Sequence, residues 1–329
     1  MMLSRRRFVS AFSGLFVAGV LGSSDKSFAA SKTALTAKSK TAKRKSAHIE
    51  EYMPLTLNPS VLTSPSKQAV FYSPHPDDEV LSFGPIASEL HALGHELIFV
   101  LLTAGSTTVA IKLINGELTS PGNGTRFAFK GMRDPNNSGY APLTSADIGK
   151  ARTVEFKSAA AELGVKKGNA FTFDLLVDND VPLASATTVI EEMVAKYPDA
   201  THWGMSTVDT HPHHRAAGEA LRIIANKTGV RSAYVISRPT LKQITEQINL
   251  KNPDVPIPTP IRPDPSRMQK VRNAMLPYNA WNPAANSFAI GYSSVPNQFE
   301  DLDALGSAQY SLAAPPLEKV VNWIVSSHI

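Results

Sequence analysis

Blocks of apolar residues alternate with amphipathic blocks through the middle of the chain, in a pattern that predicts strands followed by helices. Short apolar runs predict strands at residues 68–73, 95–103, 171–177, 201–205 and 233–237. Apolar residues spaced three or four apart predict helices at residues 77–93, 145–164, 184–196, 213–227 and around 268–276. This alternation is typical of an α/β protein with a mostly parallel sheet and helices on both faces.

Composition shifts divide the chain into four segments. Residues 67–250 hold the alternating strands and helices and form the predicted core. Residues 251–329 begin with a proline-rich connector and continue as an irregular C-terminal extension that completes the domain. Within the core, residues 105–145 are rich in Gly, Pro, Asn, Ser and Thr, and a loop of that length is usually a lid or a binding loop.

The first 29 residues predict an export signal. Residues 4–10, SRRRFVS, resemble the twin-arginine pattern, and the apolar stretch at 11–22 is shorter than the roughly 20 residues of a bilayer span. Ser27 and Ala29 suit a cleavage site, so the mature chain is predicted to begin at Ala30 without a stable membrane span. Residues 30–66 then predict a basic disordered linker, and the expected location is periplasmic or extracellular.

Charge is distributed unevenly along the chain. The formal net charge is +5, but the first 50 residues contain ten basic and two acidic residues. The remaining 279 residues contain 23 basic and 26 acidic residues, a net charge of −3, which argues against nucleic acid as a partner. The chain has no cysteine, which excludes disulfides, thiolate nucleophiles and cysteine-based zinc sites.

Two clusters of metal-binding residue types follow predicted strands. The stretch SPHPDDEVLSFG, residues 73–84, places a histidine and three carboxylates within five positions. The stretch DTHPHHRAAGEAL, residues 209–221, places three histidines within four positions. Because the carboxyl ends of parallel strands meet at one edge of a sheet, where ligands bind, we expect the two clusters to lie close together.

Together the clusters can supply a catalytic metal site. A catalytic zinc takes three nitrogen or oxygen ligands from the protein and keeps one position open, and His75, Asp78 and His214 would form such a set. Asp77 would take the proton of the attacking water, and His211 would stabilise the oxyanion or protonate the leaving amine. Each cluster alone would also suit a helix cap or a surface turn.

Residues 74–79, PHPDDE, resemble the signature of the PIG-L/LmbE family of zinc-dependent N-acetylglucosaminyl deacetylases. Arg152 and Glu155 are similar to the central helix of that family, and the stretch HPHH at residues 211–214 is similar to its second motif. The resemblance covers roughly residues 67–240, with a weaker echo at residues 270–278. It implies a Rossmann-like fold and an acetamido-sugar substrate.

The resemblance also implies roles for individual residues. The metal ligands would be His75, Asp78 and His214, with Asp77 as general base and Zn²⁺, or another divalent ion, as cofactor. The chain departs from the family at His213, where the family usually carries an aspartate that is thought to tune the preceding histidine. A histidine there has no fixed negative charge, so the protonation of His211 is open.

Three further features have an undecided role. Glu79 is a candidate for orienting a ligand histidine, and Arg152 is a candidate supporting residue. The aromatic residues Tyr278, Trp281 and Tyr292 would form either a sugar-binding wall or part of the core.

The function expected from these observations is that of a zinc-dependent hydrolase acting on a linear amide bond. It would remove acetyl from an N-acetylated, GlcNAc-type amino sugar, as a monomer or within an oligo- or polysaccharide, outside the cytoplasm. Two alternatives stay open: another amide hydrolase on the same scaffold, or a non-catalytic glycan-binding protein.

Overall fold

The computed structural model describes residues 65–121, 130–176, 179–240, 260–261, 263–305 and 308–311. The predicted export signal lies outside the described residues, as does the predicted linker apart from its last two residues. Among the described residues, no helix combines the length and hydropathy that a membrane span needs.

The centre of the fold is a seven-stranded sheet with the order β5-β2-β1-β6-β7-β11-β8. Its strands are β1 (Gln68–Ser73), β2 (Glu96–Leu101), β5 (Ala170–Thr172), β6 (Thr201–Met205), β7 (Arg231–Val235), β8 (Pro260–Ile261) and β11 (Ala308–Ser311). The five strands from β5 to β7 are parallel, whereas β11 is antiparallel to both β7 and β8. The predicted mostly parallel sheet is therefore confirmed, with one antiparallel strand, β11, and then β8 added at one edge.

Short strands form two small antiparallel pairs outside this sheet. They are β3 (Ser120–Pro121) with β4 (Lys130–Gly131), and β9 (Trp281–Asn282) with β10 (Ser287–Phe288). The helices are α1 (Asp78–Leu81), α2 (Gly84–Ala92), α3 (Ala110–Ile114), α4 (Pro135–Ser138), α5 (Ser145–Leu163), α6 (Leu183–Lys196), α7 (Pro212–Thr228), α8 (Pro265–Asn279), α9 (Ile290–Ser294) and α10 (Pro296–Leu305). A 3₁₀ turn spans Pro283–Ala285.

Helices cover both faces of the sheet, as the continuous apolar strands predict. Successive residues of β1 alternate between two separate buried clusters: Ala69 and Phe71 belong to one, and Val70 and Tyr72 belong to the other. All four are fully buried. Since side chains alternate across a strand, a strand buried at every position needs a packed layer on each side.

Local sequence explains where helices begin and end. Thr144 and Asp147 form a capping box at the start of α5, and Gly164 ends that helix with a φ of 98°. The single helix predicted for residues 77–93 is in fact two, α1 and α2. Pro85 lies in the first turn of α2, where a proline is tolerated, whereas inside one continuous helix it would remove a hydrogen bond and clash with the preceding turn.

The C-terminal extension is more regular than predicted. The 15-residue helix α8 buries Met268, Val271, Met275 and Tyr278 in the same cluster as Phe71. Residues 105–145 contain the short helices α3 and α4 where the sequence predicts only a loop. Helix α8 of this extension therefore packs against the core.

Candidate metal centre

The two predicted clusters meet at the carboxyl edge of neighbouring strands. Strands β1 and β6 pair in parallel, and each is followed by one of the two motifs. The first motif places His75 in the loop after β1 and Asp78 at the start of α1. The second motif places His214 in the first turn of α7. The two motifs are far apart in sequence, and the sheet brings them to one place.

Three side-chain atoms form a nearly equilateral triangle. The Nδ1 atom of His75 and the Nε2 atom of His214 each lie 3.2 Å from Oδ2 of Asp78, and the two nitrogens are 3.2 Å apart. Two ligands of a tetrahedral zinc with bonds of about 2.0 Å are separated by about 3.3 Å. The spacing and the chemistry of these donors therefore fit one divalent metal ion.

Hydrogen bonds hold the aspartate of this triangle in place. The backbone N–H of His75 donates to Oδ2 of Asp78 at 3.0 Å, and the hydroxyl of Ser82 donates to Oδ1 at 3.3 Å. Asp78 is 5% exposed, so its orientation is set by these partners and not by solvent. The loop thus presents one carboxylate oxygen toward the two histidines.

Asp209 orients His214 from behind, a role that the sequence prediction missed. Its Oδ1 atom lies 3.3 Å from Nδ1 of His214, the ring nitrogen that faces away from the triangle. Asp209 is fully buried, and the backbone N–H of Ser237 and the hydroxyl of Thr240 donate to its carboxylate. A carboxylate behind a ligand histidine is a common support for metal sites. The available signal was its place, two residues before the HPHH stretch.

The carboxylates of Asp78 and Asp209 favour positive charge at the triangle. Burial lowers the pKa of His214, but the carboxylates of Asp78 and Asp209 outweigh it and raise that pKa to about 10. For Asp78, burial raises the pKa, yet His214 and His75 bring it well below its usual value. A site that retains a proton between two carboxylates also favours a divalent cation at the same position.

Asp77 has an unusual backbone conformation. Its φ of 117° lies in a region that residues other than glycine rarely adopt and that costs of order 1–3 kcal/mol. Its Oδ2 atom accepts a hydrogen bond from Arg152 at 2.7 Å, and both side chains are buried. Burial raises the pKa of Asp77 to about 7, against the lowering effect of Arg152. Strain of this kind is found where a side chain must be aimed.

Arg152 fixes the two loops that flank Asp77. Besides Asp77, its guanidinium donates to the carbonyl oxygens of Pro76 and, at 3.3 Å, Gly105. Gly105 has a φ of 63°, and a Cβ atom there would lie 2.7 Å from Nη1 of Arg152. The close approach of the backbone to the guanidinium therefore requires glycine.

Glu79 does not orient a ligand histidine, and that expectation was wrong. Its Oε2 atom accepts the backbone N–H of Asp77 at 3.0 Å, and its Oε1 atom accepts the hydroxyl of Tyr278. The carboxylate is fully buried, and burial raises its pKa well above the usual value. Both carboxylate oxygens of Glu79 are engaged by Asp77 and Tyr278, so Glu79 supports the strained backbone of Asp77 instead.

His211 and His213 lie beside the triangle. The ring of His211 is 4.6 Å from the ring of His75, and its Nδ1 atom accepts the backbone N–H of His213 at 3.2 Å. Burial lowers the pKa of His211 to about 4. The side chain of His213 reaches His75 instead, and its Nδ1 atom lies 2.9 Å from Nε2 of His75.

Two of the three aromatic candidates belong to the core. Tyr278 is fully buried and Tyr292 is 3% exposed, so the core alternative holds for both. Trp281 is half-buried and carries the guanidinium of Arg133 over its ring at 3.5 Å. Glu155 accepts the backbone N–H groups of Ile290 and Gly291 and thus ties α5 to α9.

The chain thus has a Rossmann-like sheet with a histidine–aspartate cluster at its carboxyl edge. The family model described as PIG-L, GlcNAc-PI de-N-acetylase, matches residues 70–225. The chain therefore carries a PIG-L family domain, and the family resemblance predicted from its motifs is confirmed. The match spans both motifs and Arg152. No curated protein sequence matches the chain significantly.

Several solved structures are similar to the chain at low sequence identity. An antimicrobial pseudoaglycone deacetylase is 19% identical, with 73% of this chain and 88% of that one covered and a TM-score of 0.49. The N,N'-diacetylchitobiose deacetylase from Pyrococcus horikoshii is 13% identical, with 77% and 85% covered and a TM-score of 0.44. The 4-carboxy-2-hydroxymuconate hydratase from Pseudomonas putida is 17% identical, with 75% and 96% covered and a TM-score of 0.44.

Proposed function

We propose that the protein is a metal-dependent hydrolase that removes the acetyl group from an N-acetylated amino sugar. The observation that carries this proposal is the triangle of His75, Asp78 and His214, whose three donor atoms are 3.2 Å apart. It lies within a domain of a family described as a de-N-acetylase. Zn²⁺ is the ion that best suits two imidazoles and one carboxylate in this spacing.

When bound there, the ion would lower the pKa of water toward about 7 and polarise the acetyl carbonyl. Asp77 would then act as the general base. Arg152 holds its Oδ2 atom, and in the described part of the chain no group donates to Oδ1. Oδ1 is therefore the oxygen that would accept the proton of the attacking water.

His211 would act on the other side of the scissile amide. Because its Nδ1 atom accepts the backbone N–H of His213, the neutral ring carries its proton on Nε2. That N–H is available to donate to the carbonyl oxygen as negative charge develops there. Water adds to the carbonyl carbon, the carbon–nitrogen bond breaks, and the proton taken by Asp77 passes to the amine. The products are acetate and a free amino sugar.

The proposed substrate is a GlcNAc-type sugar, alone or within an oligo- or polysaccharide. The family description, which names a GlcNAc-containing compound, supports the acetamido sugar. The proposed location outside the cytoplasm rests on the twin-arginine-like stretch at residues 4–10.

The test is acetate release by the zinc-loaded chain, from residue 30 onward, with a panel of N-acetylated sugars and chitin oligomers. Asp77→Asn should retain zinc and lose at least about 100-fold in turnover, since it removes the general base. Asp301→Asn, which changes an exposed aspartate on α10, serves as the control and should keep full activity.

Each possible result leads to a distinct conclusion. Zinc binding without acetate release from any sugar would contradict the deacetylase and favour another amide hydrolase. A folded chain that binds glycan but no zinc would contradict catalysis and favour the glycan-binding alternative. Equal turnover of Asp77→Asn and the parent protein would overturn the role of Asp77.

A further inference from the structure

We propose that His213 positions the metal ligand His75 and selects the tautomer that can bind the ion; this rests on the metal site of the proposed function. His213 stands where the chain departs from the family motif. The departure suggests a change at His211, yet the side-chain hydrogen bonds of His213 are with His75 and with a backbone carbonyl. Its effect is therefore expected on metal binding.

The three groups form a chain of hydrogen bonds. Nε2 of His75 and Nδ1 of His213 are 2.9 Å apart, and Nε2 of His213 is 3.2 Å from the carbonyl oxygen of Asn179. His213 is 8% exposed, so bulk water does not readily replace these partners. The nearest carboxylate oxygen, on Asp180, is 3.8 Å from Nε2 and too far for a hydrogen bond.

The direction of these bonds follows from the carbonyl end. A carbonyl oxygen only accepts, so Nε2 of His213 must carry a proton. The lone pair of the His213 ring then lies on Nδ1, which receives the N–H of its neighbour. His75 accordingly carries its proton on Nε2 and keeps the lone pair on Nδ1. Nδ1 is the atom that belongs to the triangle with Asp78 and His214.

The contacts of His213 with His211 are of a different kind. The link between them is the backbone N–H of His213, which any residue other than proline would supply. The two rings meet edge to face, with 4.9 Å between their centroids. A substitution of the His213 side chain therefore removes the support of His75 and leaves the hydrogen bond to His211 in place.

An alternative is that His75, His211 and His213 hold a second ion, since their nitrogen atoms also lie within 4.8 Å of one another. This arrangement needs the lone pair of His75 on Nε2, which would put its proton on Nδ1 and remove it from the first site. The second ion would also cost His211 a hydrogen bond. If the ion bound Nδ1, that atom could no longer accept the backbone N–H of His213; if it bound Nε2, the ring proton would move to Nδ1, with the same result. The hydrogen-bonded chain pairs Nε2 of His75 and both ring nitrogens of His213 without such losses.

Two substitutions distinguish the effect of the hydrogen-bond acceptor at Nδ1 of His213 from the effect of its ring. His213→Asn places Oδ1 close to the position of Nδ1 and retains an acceptor for His75. His213→Phe retains a ring of similar shape but has no acceptor. The zinc dissociation constant of each protein is measured by competition with a chelator of known affinity. His91→Phe, a substitution of a histidine on α2 that contacts Lys270, is the matched control.

We expect zinc affinity to fall by about 10- to 100-fold in His213→Phe, to stay close to the parent in His213→Asn, and to be unchanged in the control. Thermal unfolding of the zinc-free proteins verifies that each variant folds. Equal affinity of His213→Phe and the parent, or an equal loss in both His213 variants, would overturn the proposal. So would two zinc ions per parent chain with loss of only the second in His213→Phe.

The zinc affinities of these variants can be measured whether or not the protein is catalytically active. A parent protein that binds zinc and releases no acetate would refute the proposed function, while the affinities of the variants would still decide the role of His213. A parent protein that binds no zinc would overturn the metal site that both proposals share.

Discussion

Tyr278 connects the C-terminal helix α8 to the loop that carries Asp77. The substitution Tyr278→Phe, which removes only its hydroxyl, tests this connection. The hydroxyl donates to Oε1 of Glu79, while Oε2 of the same carboxylate accepts the backbone N–H of Asp77. Tyr278 and Glu79 are both fully buried. Tyr278→Phe therefore deletes one hydrogen bond from a fully buried network and retains the aromatic ring.

The expected cost follows from what remains behind. Phenylalanine leaves no cavity, so the loss is that of an unsatisfied polar oxygen on Glu79, about 1–3 kcal/mol. For a domain of this size, a loss of about 2 kcal/mol corresponds to a decrease in melting temperature of about 4–8 °C. Because Glu79 also supports the strained backbone of Asp77, acetate release should decrease while zinc stoichiometry is retained.

Urea unfolding followed by circular dichroism measures this cost, with a shifted midpoint and an unchanged slope. The control is Tyr197→Phe, the same substitution on a half-buried tyrosine outside the site. Its effect should remain within about 0.5 kcal/mol. A Tyr278→Phe protein as stable and as active as that control would refute the inference that the extension supports Asp77 through Glu79.

Two other predictions concern the buried charges of α5. Arg152→Met removes the partner of Asp77 at 2.7 Å and should cost about 3–5 kcal/mol of unfolding free energy, because it leaves a buried carboxylate unpaired; a loss below about 1 kcal/mol in urea unfolding would contradict this. Burial raises the pKa of Glu155 to about 8, whereas the unfolded value is about 4.3. The folded state therefore holds the proton more tightly, so the contribution of Glu155 to stability is fully present below the unfolded pKa and is lost as pH rises through about 8, by at most about 1.4 kcal/mol per pH unit. Glu155→Gln should flatten this fall between pH 5 and 8, and an unchanged slope would show that Glu155 is ionised throughout.

The order of the main strands and helices could be predicted because their apolar periodicity is strong. Strand β6 falls on the predicted residues, and α7 begins and ends within one residue of the prediction. The break between α1 and α2 was missed, although Pro85 marks it in the sequence. The antiparallel strand β11 was missed because strand pairing at a sheet edge depends on contacts between residues far apart in the chain.

The candidate metal ligands could be proposed from residue types because two rare clusters both follow strands. The residues that hold these ligands and Asp77 in place could not be predicted, because their contacts depend on the direction of each side chain. Glu79 lies beside Asp78 in sequence but faces Tyr278, and Asp209 reaches His214 only because the loop after β6 turns back. The strain at Asp77 has no signature in the sequence at all.

Acetate release during a zinc titration of the metal-free protein tests metal-dependent deacetylation most directly. A chitin oligomer serves as substrate, and the protein is first stripped with a chelator. We expect no release without metal, a linear rise in release as zinc is added, and a plateau at one equivalent per chain. Release that is undiminished in the stripped protein, or that zinc never restores in a folded protein, would contradict metal-dependent deacetylation.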